Sequence, residues 1–272
     1  MNKYIFDGKT AIVTGGTSGI GLAVARELAN RGSDIAIIGR NEVALKDICK
    51  ELNDKHPRQK ITGYKLDLSD LNAIPKTVQK IIDDHKNIGL LVNNAGIAMG
   101  GKIDELAISD YETIFKVNFL SEVAMVKELM PALKKVSGSH IANVSSIFGI
   151  ITPSGQSAYS ASKFAVRGFS EVLRQELKSD GIGVSTIFPG GVKTNIAANA
   201  KVGKFADAER VKKDAKKFEA NFTMTPEFAA TVIVNGIEKR KPLIMIGTMT
   251  KFLHFMTRLV PAKYDFLLKS IK

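Results

Sequence analysis

The chain alternates short apolar runs with longer helical patterns, and this alternation constrains its fold more than any other feature. Seven runs rich in β-branched residues are predicted strands, and most of them have no polar alternate face. Continuous apolar strands are typical of a parallel sheet that is covered on both faces. The predicted strands are Thr10–Thr14, Asp34–Ile38, Lys60–Leu66, Leu90–Asn93, His140–Ser145, Gly183–Phe188 and Leu243–Ile246.

Helical patterns separate these strands, among them Leu22–Arg31, Glu42–Asn53, Leu71–Asp84 and Glu112–Lys135. Strand and helix alternate to the end of the chain, which predicts an α/β fold with a doubly wound sheet. A length of 272 residues suffices for one domain with a large core. We therefore expect a single Rossmann-type domain with a seven-stranded parallel sheet and helices on both faces. It would span residues 1–250 and carry a basic, amphipathic helical extension at residues 251–272.

Basic residues are concentrated near the end of the chain. From Val192 onward there are 16 Lys and Arg against 7 Asp and Glu, which accounts for +9 of the net charge of +12. Such a region can face an anionic substrate, a membrane surface or nucleic acid, or it can be a solvated surface. The lysine-rich stretches have no interleaved aromatic residues, which argues against nucleic acid.

The cysteine, histidine and hydropathy patterns argue against a disulfide-linked, a metal-binding or a membrane-spanning protein. Cys49 is the only cysteine, so no internal disulfide is possible, in keeping with a reducing cytosol. The four histidines show no metal-ligand spacing, and we predict no metal site. We find neither a signal sequence nor an apolar run of about 18 residues, and we expect a cytoplasmic protein.

A glycine-rich turn joins the first predicted strand to the first helix. It reads Thr14-Gly15-Gly16-Thr17-Ser18-Gly19-Ile20-Gly21. Glycines at 15, 19 and 21 permit a tight turn and let the backbone approach a ligand closely. The helix behind the turn directs its free N–H groups and positive end toward it, which suits a pyrophosphate. A strand before the turn and a helix after it are the context of a dinucleotide site.

The spacing of these glycines resembles TGxxxGxG, the fingerprint of the short-chain dehydrogenase/reductase family. Further motifs of that family follow in order, and the likeness covers roughly the first 195 residues. The motifs are Asn93-Asn94-Ala95-Gly96, Asn118 in the long helix, Ser145-Ser146-Ile147-Phe148-Gly149, Tyr159-Ser160-Ala161-Ser162-Lys163 as YxxxK, and Pro189-Gly190-Gly191-Val192-Lys193-Thr194.

The resemblance implies a catalytic set of Asn118, Ser146, Tyr159 and Lys163. Tyr159 would donate a proton in carbonyl reduction and remove one in alcohol oxidation. Tyr159 and Lys163 are i and i+4 on one helix face. A free tyrosine titrates near ~10, and a neighbouring ammonium lowers that pKa by favouring the phenolate. The family also uses this lysine to hold the nicotinamide ribose.

Two adjacent serines follow the fifth predicted strand. The family places its serine thirteen residues before the tyrosine and three before a glycine, and Ser146 meets both conditions whereas Ser145 meets neither. We expect Ser146 to hydrogen-bond the substrate oxygen. By the same resemblance, Asn118 would hold a water molecule that links Lys163 to solvent.

The end of the second predicted strand indicates which nicotinamide cofactor is bound. NAD-specific relatives usually have an acidic residue there, which binds the adenine ribose. This chain has Arg40 instead, and a guanidinium suits a 2′-phosphate, so we expect NADP(H). The basic residue that some NADP enzymes carry in the glycine turn is replaced by Ser18. The implied cofactor-binding set is Gly15, Thr17, Ser18, Gly19, Ile20, Gly21, Arg40, Asp67, Leu68 (both near the adenine), Asn94 (near a ribose), Tyr159, Lys163, Val192 and Thr194 (both near the nicotinamide amide).

The C-terminal quarter of the sequence gives indications about the kind of substrate. By position after Thr194, residues 192–225 would form a substrate lid, whose lysines could attract anionic acyl carriers or coenzyme A. The apolar and basic segments Lys251–Pro261 and Tyr264–Ile271 are loosely similar to the branch that contains 3-ketodihydrosphingosine reductases and 11β-hydroxysteroid-type dehydrogenases. Such a tail can lie on a membrane, cap a lipophilic pocket, or pack on the domain or a homo-oligomer interface. Pro261 should separate two short helices.

The leading hypothesis is an NADP(H)-dependent oxidoreductase that reduces a lipophilic ketone, with a place in lipid metabolism. The alternatives are a 3-oxoacyl-carrier-protein reductase and a nucleotide-sensing protein without catalysis. Homo-oligomers are common in the family, and a small-molecule carbonyl or alcohol is the expected substrate.

Overall fold

Seven parallel strands form the central sheet of the computed structural model, which describes residues 3–220, 222–261 and 263–264. The strands are β1 (Thr10–Thr14), β2 (Asp34–Gly39), β3 (Ile61–Lys65), β4 (Ile88–Asn93), β5 (Met99–Gly100), β6 (His140–Val144), β7 (Gly183–Pro189), β8 (Lys201–Val202) and β9 (Leu243–Ile246). The sheet has the order β3-β2-β1-β4-β6-β7-β9, and the two-residue strands β5 and β8 pair with each other outside it.

The inner strands are buried on both faces, as their apolar sequences predict. In β1, Ile12 packs into the cluster on one face of the sheet and Val13 into the cluster on the other. All pairings within the sheet are parallel. The prediction of a doubly wound, seven-stranded sheet is confirmed, whereas the short pair β5 and β8 was not predicted.

Helices cover both faces of this sheet. They are α1 (Gly19–Asn30), α2 (Glu42–Lys55), α3 (Ile74–Asp84), α4 (Ile108–Phe115), α5 (Ser121–Lys135), α6 (Ser157–Glu176), α7 (Ala208–Glu219), α8 (Pro226–Glu238) and α9 (Thr248–Leu259). Apolar residues of α1, α2 and α8 fill the core on one face, and those of α3, α5 and α6 fill it on the other.

The long helix predicted at Glu112–Lys135 is not regular. It starts earlier, at Ile108, and a π-helical turn at Lys116–Leu120 separates α4 from α5. Such turns insert an extra residue into a helix and occur often at functional sites. The turn contains Asn118, so the irregularity coincides with a predicted site residue.

The C-terminal segment begins with α9, which starts at Thr248, three residues before the predicted extension, and ends ahead of Pro261. Leu253 is buried, whereas Met249, Phe252, Phe255 and Leu259 are exposed. The second predicted helix, at Tyr264–Ile271, lies outside the described residues apart from Tyr264. No helix in the described part of the chain is long and apolar enough to cross a bilayer.

Because all strands of the sheet are parallel, the loops that follow them meet at one edge. The order of the strands reverses between β1 and β4, and a crevice forms at such a point. The glycine turn after β1, Asn94 after β4 and Ser146 after β6 all lie at this edge.

Candidate active site

A cleft of about 1680 Å³ opens at the carboxyl edge of the sheet. Its lining brings together predicted catalytic and cofactor-binding residues from distant parts of the sequence. Those on the lining are Gly15, Thr17, Ser18, Gly19, Ile20, Arg40, Asp67, Leu68, Asn94, Ser146, Tyr159, Lys163, Val192 and Thr194. Gly21 and Asn118 lie immediately behind it and shape its walls, as described below.

The glycine turn has the backbone that the sequence predicts. Gly15 and Gly19 have φ angles of 64° and 53°, in the left-handed region that favours glycine. A Cβ on Gly21 would lie 2.3 Å from the carbonyl oxygen of Gly15, so no larger residue fits there. Ser18 begins α1 without a side-chain capping bond, and the first helical turn has no acidic residue. The helix N-terminus is thus suited to receive an anion from outside.

Asn94 supports this turn directly. Its Nδ2 donates to the carbonyl oxygen of Thr14 at 3.0 Å, and the Thr14 hydroxyl accepts from the backbone nitrogens of Asn94 and Ala95 at 2.9 and 3.0 Å. The side-chain amide that was expected near a ribose therefore also fixes the loop after β4 to the loop after β1. Both loops form one rigid wall of the cleft.

Charged residues gather at the end of the cleft beside β2 and β3. Asp67 Oδ1 accepts hydrogen bonds from the backbone nitrogen and hydroxyl of Ser69, at 2.9 and 2.8 Å. These bonds lower the pKa of Asp67, with further lowering by the positive charges of Arg40 and Lys201. Sequence reasoning assigned Lys201 only to the lid. The unpredicted pairing of β8 with β5 brings it to this end, with its backbone nitrogen donating to Ala98 at 2.8 Å.

Tyr159 and Ser146 meet at the opposite end of the cleft. Tyr159 is 7% exposed, and burial raises its pKa while the neighbouring Ser146 hydroxyl opposes this rise. Ser145 instead donates to the backbone carbonyl of Lys163 at 2.8 Å, which attaches α6 to the end of β6. Only Ser146 of the two serines reaches the phenol.

Lys163 is buried beside Tyr159 and is held by the sheet. Its Nζ donates to the carbonyl oxygen of Val144 at 2.9 Å and lies 5.9 Å from the centre of the Tyr159 ring. Burial lowers the pKa of Lys163 to about 8, and the nearby Glu122 opposes this shift. A lysine with such a pKa can exchange a proton near neutral pH.

The prediction that Lys163 lowers the pKa of Tyr159 is wrong. We predicted that the ammonium lowers the tyrosine pKa, but burial dominates and raises it, and the lowering contribution comes from Ser146. Burial disfavours the charged phenolate. Tyr159 is therefore held as a neutral phenol, the form that can donate a proton.

Asn118 is positioned by the π turn between α4 and α5. Its side chain accepts from the backbone nitrogen of Ile97 at 2.8 Å and donates to the Ile97 carbonyl at 2.9 Å and to Ser162 Oγ at 3.1 Å. A Cβ on Gly96 would lie 3.3 Å from both Asn118 Oδ1 and Lys163 Nζ, so the backbone at Gly96 passes beside the two groups. The side-chain amide thereby connects the loop after β4 to α6, next to Lys163.

Part of the segment that was predicted to be a lid, residues 192–225, lines the cleft. A Cβ on Gly19 would lie 3.3 Å from Thr194 Cγ2, which places Thr194 against the glycine turn, and Val192 is buried. An ion pair of 2.5 Å joins Arg210 of α7 to Glu105 on the far side of the cleft. The lid segment is thus held near its start and in its middle.

An aromatic wall connects the lid to Tyr159. We use this name for Phe148, Phe218 and Phe222. The Phe148 ring lies 5.9 Å from that of Tyr159 and 5.4 Å from that of Phe218, which in turn lies 5.0 Å from Phe222. Sequence reasoning missed this wall, because Phe148 lies 70 positions before Phe218 in the sequence.

Comparisons with known proteins identify the family of this chain. Residues 9–204 match the short chain dehydrogenase family. The putative oxidoreductase SadH of Mycobacterium tuberculosis is 34% identical over 269 residues, which cover 97% of this chain and 95% of that protein. An NADP-dependent 3-hydroxy acid dehydrogenase of Schizosaccharomyces pombe is 31% identical over 245 residues, covering 89% of this chain and 92% of that protein. The chain belongs to the short-chain dehydrogenase/reductase family and is an oxidoreductase that acts on a CH–OH group.

A solved structure supports the fold. The short chain dehydrogenase/reductase from Burkholderia phymatum, in complex with NAD, has a TM-score of 0.83 at 24% identity and covers 98% of this chain and 96% of that chain. Among the described residues, no group of three or more His, Cys, Asp or Glu side chains is arranged to hold a metal ion.

Proposed function

We propose that this chain is an NADP(H)-dependent reductase that interconverts a ketone and a secondary alcohol, with a lipophilic carbonyl compound as its substrate. One observation carries the proposal. Tyr159 and Lys163, both buried, converge with the half-buried Ser146 in the same cleft as the glycine turn. The turn fits a dinucleotide, because its left-handed glycines and the close packing of Gly21 leave the backbone open to a phosphate.

In the reducing direction, NADP(H) supplies the hydride when it is bound. Tyr159 then donates its phenolic proton to the developing alkoxide as a general acid. Ser146, which lines the cleft beside Tyr159, donates a hydrogen bond to the same substrate oxygen and stabilises its charge. Lys163 returns a proton to the phenolate through a hydrogen-bonded relay, and Asn118 holds the water that connects this relay to solvent.

A preference for NADP(H) over NAD(H) rests on the charges beside β2 and β3. Arg40 and Lys201 both act on Asp67, so two cations lie at this end of the cleft. A 2′-phosphate carries negative charge and pairs well with a guanidinium. The name of the Schizosaccharomyces pombe relative, an NADP-dependent enzyme, supports the same choice.

A lipophilic substrate is supported by the aromatic wall next to Tyr159. Phe148 and Phe222 are buried, whereas Phe218 is 38% exposed toward the cleft that it lines. Leu253 of α9 packs in the same apolar cluster as Phe148 and Tyr159, so the C-terminal segment contributes to this side of the cleft. This arrangement agrees with the loose likeness to the branch that acts on lipophilic ketones.

A second candidate is a 3-oxoacyl substrate attached to an anionic carrier protein. It is favoured by the lid, because Lys204, Lys212, Lys213 and Lys216 are all exposed there. The 3-hydroxy acid named for the Schizosaccharomyces pombe relative has its oxygen at the corresponding carbon.

We further propose a cytoplasmic homo-oligomer that contacts a membrane surface through α9. The exposed side chains of Met249, Phe252, Phe255 and Leu259 support an apolar contact, and Lys251 and Arg258 add positive charge on the same helix. Sedimentation of the protein with anionic vesicles, and its mass in solution, test the two parts separately.

The test of the proposed reaction is NADPH oxidation over a panel of ketones of increasing chain length, with and without carrier-linked 3-oxoacyl substrates. Tyr159→Phe should keep NADPH binding and lose about 10²–10⁴ of the turnover rate, because the general acid is removed. NADPH binding without turnover of any substrate would favour the nucleotide-sensing alternative.

A further inference from the structure

Glu122 is a buried carboxyl group that the proposed mechanism does not use. It lies in the first turn of α5, is 5% exposed, and its Oε1 is a buried atom without a hydrogen-bond partner in the described part of the chain. A buried carboxylate without compensation is strongly destabilising, so such residues are rare unless a cation lies nearby.

The compensating charge is Lys163. Burial raises the pKa of Glu122 well above its usual range, and the positive charge of Lys163 opposes this by favouring the carboxylate. In return, the negative charge of Glu122 opposes the lowering of the Lys163 pKa by burial. Asn118, four residues before Glu122, also reaches α6, where it contacts Ser162 beside Lys163. The π turn and the first turn of α5 thus place an amide and a buried carboxyl in the neighbourhood of the same lysine.

The other elements packed against α5 bring no competing charge to this pair. Those elements are α3, β4, β6 and the π turn, whose Lys116 is exposed. Strand β4 has no titratable residue, and His140 of β6 lies at the opposite end of its strand from Val144, where Lys163 is bound. In α3 the charged residues Lys76, Lys80 and Asp83 are exposed, and Asp84 pairs with Lys80. From α6, Tyr159 is the other titratable group at the site.

We propose that Glu122 is a positioning residue of the proton relay, whose carboxylate keeps the Lys163 ammonium charged so that Lys163 can return a proton to Tyr159. The inference rests on the proposed function of the site. In each reduction the O–H bond of Tyr159 breaks and an O–H bond forms on the substrate. An N–H bond of Lys163 then breaks as the phenol is restored, and solvent water restores the ammonium.

The proposal has a pH-dependent consequence with a definite sign. Burial lowers the pKa of Lys163 to about 8, and the negative charge of Glu122 opposes this lowering. Burial also raises the pKa of Tyr159, so the phenol stays protonated when the lysine titrates. The alkaline limb of the reduction profile therefore reports the loss of the Lys163 proton. Removing the charge of Glu122 lowers the lysine pKa further and moves that limb to lower pH.

The experiment compares pH profiles of kcat for ketone reduction. Glu122→Gln keeps the size of the side chain and should move the alkaline limb down by about one pH unit, as a loss of about 1.4 kcal/mol of charge stabilisation requires. At pH 8 kcat should fall about fivefold, and at pH 6 it should remain within about twofold. Glu122→Asp retains the charge and should retain the limb. Glu128→Gln, an exposed change on the same helix, is the matched control. An equal loss at every pH would mean that Glu122 is only structural and would overturn the proposal.

A second readout does not depend on turnover. Protein labelled with [ε-¹³C]lysine gives a resonance for Lys163, which Lys163→Arg identifies by its disappearance. The midpoint of its titration should be lower in Glu122→Gln than in the unchanged protein, and an unchanged midpoint overturns the proposal. If no ketone is reduced but this midpoint moves, the proposed function fails while the Glu122–Lys163 coupling stands. If the midpoint moves but the kcat profile does not, the coupling exists and its role in the relay is refuted.

Discussion

The two ends of the cleft are built in different ways. At the nucleotide end, the glycine turn, Asn94 and the ends of β1 and β4 are joined by backbone contacts and by hydrogen bonds of 2.9–3.0 Å. At the substrate end, Phe148, Phe218, Phe222 and Leu253 come from three separate segments and meet through side chains alone. The nucleotide end tolerates little change in shape, whereas the substrate end can be remodelled one side chain at a time. This difference agrees with a fixed cofactor and a substrate that varies within a family.

The largest effect is expected from a methyl group at the nucleotide end. In Gly21→Ala the new Cβ would lie 2.3 Å from the Gly15 carbonyl oxygen and 2.4 Å from Asn94 Nδ2. The turn must shift, and we expect NADPH to bind about 100-fold more weakly, a loss of about 2.7 kcal/mol, with an unfolding free energy lower by about 1–3 kcal/mol. Fluorescence titration measures the binding of NADPH, and thermal melting measures the change in unfolding free energy.

Gly168→Ala is the matched control for that change. Gly168 lies within α6, and a Cβ there would meet nothing within 4 Å. It should leave NADPH binding unchanged and raise stability by about 0.5–1 kcal/mol. Equal binding by both variants would show that the nucleotide end is not rigid.

An intermediate effect is expected from the charged side chains beside β2 and β3, at the nucleotide end of the cleft. Arg40→Asp should lower the preference for NADPH over NADH at least about tenfold, because the guanidinium that pairs with a 2′-phosphate becomes a carboxylate. Lys201→Ala should lower this preference for NADPH less, since Lys201 belongs to the lid segment, residues 192–225. Steady-state kcat/KM with each cofactor gives the ratio, and the exposed Lys212→Ala is the control. An unchanged ratio in Arg40→Asp refutes the assignment of NADP(H).

The smallest effect is expected at the substrate end. Phe218→Ala removes one ring from the aromatic wall and should raise KM about three- to tenfold for long-chain ketones, with little change for small ones. Phe205→Ala removes a 64% exposed ring from the same lid and should change neither. Equal losses for short and long substrates in Phe218→Ala would mean that the ring only supports the lid.

The contrast between the two ends also explains what could be predicted from the sequence. Strand burial and the glycine turn follow local rules, so the seven-stranded sheet was predicted with ends within one or two residues of those observed. The choice of Ser146 needed only spacing, and Ser146 does reach Tyr159.

Features that depend on contacts between distant segments could not be predicted. The π turn at Lys116–Leu120 has no sequence periodicity of its own, and the expected regular helix missed it. The pairing of β8 with β5, which moves Lys201 toward Asp67, involves only two residues in each strand. The raised pKa of Tyr159 reflects how deeply it is buried, a property of the assembled fold, whereas spacing along a helix only suggested a cation beside it.

Transfer of deuterium from labelled NADPH tests most directly the central claim, which is that this chain reduces a ketone with Tyr159 as the general acid. The protein is incubated with NADPH that carries deuterium at the transferable position of the nicotinamide and with a ketone panel, and the alcohols are analysed by mass spectrometry. The account predicts one deuterium on the carbinol carbon of the product, formed by the unchanged protein and lost at least about 100-fold in Tyr159→Phe. Labelled alcohol formed equally by both proteins, or no labelled alcohol from any ketone despite bound NADPH, would contradict it.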